Sequence, residues 1–106
     1  MSRSFRRYEI LLPLQFNDGQ PVPSEVIVDT MIELERRFRG LSCETQTIHG
    51  FWEHEGQLYR DDSVRVFVDV PDTPKNRQFF RGFKKKLKAR FRQVDIWITN
   101  HRINVV

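Results

Sequence analysis

The chain has 106 residues, 39% hydrophobic and 30% charged, with a formal net charge of +4. That length supplies one hydrophobic core and would starve two, so a single domain over residues 1–106 is expected, and the composition excludes general disorder. No stretch approaches the roughly 20 apolar residues of a membrane span. The lone Cys43 rules out an internal disulfide, so the expected setting is the reducing cytoplasm.

At the start of the chain, Arg3, Arg6 and Arg7 precede an apolar run at Ile10 to Leu14, an outline shared with secretory leaders. Glu9 interrupts the approach, the run is very short, and no small-residue cleavage site follows, so a strand is expected instead. Tyr8, Ile10, Leu12, Leu14 and Phe16 alternate with Glu9, Leu11, Pro13 and Gln15, the period of a strand with one buried face. Pro13 removes a ladder donor and predicts a local irregularity. Asn17, Asp18 and Gly19 then turn the chain.

Pro21 and Pro23 lead into a helix predicted over residues 24–39, with Glu25 and Asp29 early, Arg36, Arg37 and Arg39 late, and Gly40 as its stop. Ile27, Met31, Leu34 and Phe38 form its apolar stripe. Val28 and Ile32 widen that stripe beyond one sheet contact and suggest a face for another subunit. Strands follow over residues 41–52 and 58–70, joined as a hairpin around Glu53, His54, Glu55 and Gly56. In the second of these, Val64, Val66, Val68 and Val70 alternate with Ser63, Arg65, Phe67 and Asp69, giving one wholly apolar face.

Thr73 reads as an N-cap and Pro74 as the first position of a second helix running to about Arg92. Phe80, Phe83, Leu87 and Phe91 mark its core side, and Gly82, costly in a helix interior, suggests close packing or tolerated strain. Val94, Ile96 and Ile98 alternate with Asp95, Trp97 and Thr99 as a last strand, which residues 103–106 extend. The order strand, helix, strand, strand, helix, strand predicts an α+β fold of ferredoxin-like βαββαβ type. Two helices would cover one face of an antiparallel sheet, an arrangement that also permits a dimeric α+β barrel.

Charge is segregated. Residues 75–92 hold nine Lys or Arg and no acidic residue, whereas the rest carries nine basic against fourteen acidic residues. On a helix Arg77, Arg81, Lys84, Lys85, Lys88 and Arg92 fall within an arc of about 100°. Like charges four apart repel by roughly 0.2–0.5 kcal/mol unless an anion faces them. The ridge therefore reads as a solvated or self-complementary face first, and otherwise as a contact for an acidic protein partner or nucleic acid.

The sheet face away from the helices would expose Leu11, Ile48, Trp52, Phe67 and Trp97. Two such faces packed in a homodimer account for that much apolar surface better than a base-stacking platform, because residues 64–70 lack the glycine and paired aromatics of RNA-recognition strands. A cavity between sheets would draw on His49, His54, Tyr59, Asp61, Asp62 and Arg65. His49 and His54 are five apart beside Glu53 and Glu55, which matches no recognised zinc spacing, and no cofactor is implied. Cys43 has no neighbouring histidine, no glycine-rich phosphate loop exists, and Asp18 reads as a turn residue.

Three stretches of the chain, residues 16–23 before the first helix, Gly50-Phe51-Trp52 in the hairpin, and residues 87–93 before the last strand, resemble a group of small bacterial proteins without assigned activity. That resemblance spans nearly the whole chain and implies a ferredoxin-like domain, with no site to carry over. The leading expectation is a non-enzymatic homodimeric binding module. Nucleic-acid binding through the basic helix and a cavity enzyme at a dimer interface are the alternatives.

Overall fold

The alternation of Tyr8, Ile10 and Leu12 forms strand β1 (Arg3–Pro13), and these three side chains are buried. In the computed structural model, which describes residues 3–106, Pro13 ends β1 rather than interrupting it. Residues 1 and 2, where the leader-like stretch begins, lie outside the described residues. Asp18 closes the following turn by accepting from the Gln20 N–H at 2.9 Å, which bears out the turn reading of that residue.

Helix α1 (Ser24–Phe38) and helix α2 (Pro74–Arg90) lie on one face of a five-stranded antiparallel sheet. Its strands are β1, β2 (Ser42–Cys43), β3 (Ile48–His54), β4 (Gln57–Pro71) and β5 (Ile98–Val105). The order β2-β4-β1-β5, with β3 on the far half of β4, is the ferredoxin-like arrangement. The core is Val66, Val68 and Val70 from β4 with Tyr8, Ile10 and Leu12, closed by Leu34 of α1 and by Phe80, Phe83, Leu87 and Phe91. Thr73 caps α2 by accepting from the Asn76 N–H at 3.2 Å, and Pro74 occupies the first helical position, both as predicted.

Four boundaries differ from the sequence reading. Residues 44–47 leave the sheet and split the expected second strand into β2 and β3. The chain ends α1 at Arg39, in the left-handed region at φ 63°, one residue before the expected glycine. Helix α2 stops at Arg90 rather than Arg92, and β5 starts at Ile98 rather than Val94. Between them Phe91 and Ile96 are both fully buried, and the Gln93 N–H bonds the Lys88 carbonyl at 2.9 Å, so the segment is a compact turn pinned at two points. The apparent alternation there is accidental, since Val94 is exposed.

β3 and the first half of β4 form a hairpin arm that runs past the core. Glu55 and Gly56 take positive φ (52° and 78°) at its two-residue turn, as a type I′ hairpin requires. Phe51 and Leu58 on one face of the arm and Trp52 on the other are exposed, and the molecule is 49 Å long against 30 and 26 Å across.

Gly82 is not explained by close packing: it is exposed, and an added Cβ would meet nothing within 4 Å. Gly82→Ala should therefore raise the unfolding free energy by about 0.5–1 kcal/mol. Leu87→Ala, one helical face away and fully buried, should lower it by about 2–5 kcal/mol, with chemical denaturation reading both.

Candidate functional site

Because Tyr8, Ile10, Leu12 and the even valines of β4 face the helices, the odd residues of both strands line the open face of the sheet. Leu11, Ile48, Trp52 and Phe67 all share that face, and Trp97 extends it through a bond from the Leu11 N–H to its carbonyl (3.1 Å). The face is not the continuous oily surface that those five residues suggest. Arg7 grips Asp69 with two bonds of 2.8 and 3.0 Å. Arg65 donates to Glu9 at 2.5 Å and also to Glu44. Both guanidiniums stand 4.6 Å from the Phe67 ring centroid, so this aromatic is flanked by two cations. The bond from Arg65 holds the Glu9 carboxyl below the usual carboxylate range.

Along the arm the same register carries two separate constellations. On the open-face side Trp52 stacks on Tyr59 (centroids 4.6 Å, planes 17° apart) and donates its indole N–H to Asp61 at 2.5 Å. On the opposite side His49 Nδ1 lies 2.6 Å from Asp62, with Arg60 Nε 3.4 Å from the same carboxylate. Two acceptors do not approach so closely, so Nδ1 carries a proton toward Asp62, which leaves Nε2 as the ring's basic nitrogen when the ring is neutral. The bond from His49 is the main reason that the Asp62 carboxyl sits below its ordinary value.

The structure thus joins His49 with Asp62 and sets Tyr59 with Asp61 on the other side, where His54 lies 6.4 Å from the Trp52 ring and 3.7 Å from Glu55. Arg65 belongs to the open-face ladder. Arg7, Glu9 and Arg60 were not singled out from the sequence. Their even spacing, four and two residues before Leu11 and two before Asp62, places them on those faces, but only the register shows their partners.

The basic residues of α2 separate into distinct settings. Arg77 bonds Asp72 at 3.0 Å and Lys84 bonds Asp95 at 3.0 Å. Arg92, past the helix end at φ 52°, covers the Phe16 ring at 4.5 Å and is not on the helical ridge. Arg81, Lys85 and Lys88 make no ion pair among the described residues.

No protein-family model matches the chain, and no curated protein matches it. Among solved structures it is similar to a phage SAM lyase in complex with S-methyl-5'-thioadenosine, at 16% identity and TM-score 0.68 over 96% of this chain and 89% of that one. It is also similar to a phage SAM lyase in the apo state, at 16% identity and TM-score 0.55 over 99% and 90% of the two chains. At that identity the likeness shows the ferredoxin-like fold. It also overturns the expectation of a non-enzymatic binding module, because both of these similar structures, covered to 89% and 90% of their length, are of a lyase.

The Asp62 carboxylate should titrate below its ordinary range, and His49→Phe should raise its pKa toward that range without reaching it, since Arg60 still faces it. A folded pKa below the unfolded one stabilises the fold above about pH 4, and the contribution fades as pH falls through the folded value. Carboxyl-detected NMR titration of wild type and variant checks both the direction and the partner.

Proposed function

We propose that this chain degrades S-adenosylmethionine, releasing S-methyl-5'-thioadenosine. The observation that carries the reading is the match of 96% of the chain, at TM-score 0.68, to a phage SAM lyase that holds that nucleoside. Release of the thioether breaks the bond between sulfur and the γ-carbon of the methionine part. The electron pair of that bond stays on sulfur and cancels the sulfonium charge, so no redox partner or metal is required. The four-carbon remainder leaves either as a lactone, when its own carboxylate displaces sulfur, or as an unsaturated amino acid, when a base takes the β-proton.

The open face offers a surface matched to parts of such a substrate. Trp52 and Tyr59 supply π-faces for the purine, and the Asp61 carboxylate accepts from ribose hydroxyls. Farther along the same face, Glu9 and Glu44 provide negative charge for the sulfonium and the ammonium group, offset in part by Arg65, which bonds both carboxylates. Tyr59 to Arg65 spans six residues of extended strand, about 20 Å, which accommodates a nucleoside with its amino-acid tail laid along β4. The His49–Asp62 pair lies on the other side of the arm and does not share this surface.

Incubation of the purified chain with S-adenosylmethionine, followed by mass spectrometry, should show methylthioadenosine accumulating with one equivalent of a four-carbon product whose mass identifies the route. Trp52→Ala should raise KM by about tenfold, the loss of one stacking contact. Phe51→Ala, exposed on the opposite face, should leave KM unchanged. Methylthioadenosine formed no faster than in buffer alone refutes the activity. Equal KM values for wild type and Trp52→Ala refute the placement.

A further inference from the structure

Asp72 sits between the end of β4 and the start of α2, and its side chain is only 6% exposed. Three guanidiniums converge on it: Arg6 through bonds of 2.9 and 3.2 Å, Arg77 at 3.0 Å and Arg102 at 3.4 Å. One carboxylate therefore faces three cations, and Arg81, one turn along α2 from Arg77, makes no ion pair among the described residues. Arg6 also donates to the Asn100 side chain at 2.7 Å, which ties the cluster to the edge strand β5, where Arg102 is largely open to solvent.

Beneath this cluster lies a second, independent anomaly. Tyr8 is 3% exposed, with its ring stacked on Phe80 at 3.8 Å, and its buried hydroxyl has no hydrogen-bond partner among the described residues. A buried hydroxyl left unpaired is costly, and such groups usually mark the place of a missing partner. Tyr8 pairs across the sheet with Asn100, which holds Arg6; burial, helped by Asp72, pushes the Tyr8 hydroxyl up, and the fields of Arg6, Arg77 and Arg81 oppose that shift. The first turn of α2, a helix of 17 residues, adds the positive end of its dipole.

We propose that the edge between α2 and β5 is a phosphate-binding site, in which Arg77, Arg81 and Arg102 hold the anion and the Tyr8 hydroxyl donates to one of its oxygens. Arg6 stays with Asp72 and Asn100 and positions the cluster. The site is on the helix side of the sheet, away from the face assigned to the sulfonium substrate, and does not depend on that assignment.

Calorimetric titration at low ionic strength with inorganic phosphate, and separately with adenosine monophosphate, tests the site against sodium chloride as control. Binding should exceed the chloride control and weaken by about tenfold in both Arg81→Ala and Tyr8→Phe, the loss of one hydrogen bond to a charged group. Neither substitution removes an existing pairing, so both variants should fold, and Tyr8→Phe should melt no lower than wild type without phosphate. Equal affinity for the two ligands identifies free phosphate as the occupant, and tighter binding of the nucleotide identifies a phosphomonoester. Heats no larger than those of chloride, or an affinity that survives both substitutions, overturns the proposal.

Discussion

The structure depends on one unbroken register along β4. Its 15 residues span about 50 Å, longer than the core needs, and pair without interruption from Phe5↔Pro71 to His54↔Gln57. An alternation without a bulge commits every side chain along that length to one of two faces. The even valines therefore enter the core, and Arg65, Phe67 and Asp69 face away from the helices. Tyr59 and Asp61 continue that outer row onto the arm. A slip by one residue would drive Arg65 and Asp69 under the helices without partners, which would cost far more than any packing it could restore.

That constraint also decides what the open face can be. Phe67 and Leu11 read as apolar surface when taken singly, which is how the sequence presents them. Across the register, however, Arg7 lies opposite Asp69, and Leu11 lies opposite Arg65, whose side chain reaches diagonally to Glu9. Each guanidinium covers one flank of the Phe67 ring while bonding a carboxylate. Which strand neighbours which, and with what offset, is long-range information. The parity of each residue was legible in the sequence, and its cross-strand partner was not.

Elements with strong local signals were legible throughout. The valine alternation, the Thr73 and Pro74 start of α2 and the four core residues Phe80, Phe83, Leu87 and Phe91 all stand where their spacing puts them. The misreadings share a cause. Arg39, and not Gly40, takes the left-handed cap, with its N–H on the Glu35 carbonyl, because the position of the last helical turn is fixed by how Leu34 and Phe38 pack rather than by glycine alone. Likewise, Val94, Ile96 and Ile98 have strand spacing, but burial of Phe91 and Ile96 in the same core forces a tight turn between them. In each case tertiary packing overrode a correct local preference.

The cations of α2 show the same division between local and tertiary information. Along the sequence they belong to a stretch of nine cations with no acidic residue among them. In the fold, Lys86 and Arg90 turn toward α1 and bond Glu33 at 2.7 and 2.9 Å, and Arg90 also bonds the buried Thr30 hydroxyl at 2.9 Å. Burial pushes the Glu33 carboxyl up, yet those two bonds outweigh it and leave the group below its ordinary value, so this side of the helix is neutralised internally. The other side, toward β5, keeps Arg6, Arg77 and Arg102 around the single carboxylate of Asp72, with Arg81 one turn farther along the helix and outside any ion pair among the described residues. Charge is thus sorted by sheet face: surplus cations collect beside the helices, while three carboxylates meet two guanidiniums on the open face. A cation is repelled from the first surface and tolerated by the second, which supports the proposed placing of a sulfonium substrate on the open face and of an anion at the edge of α2.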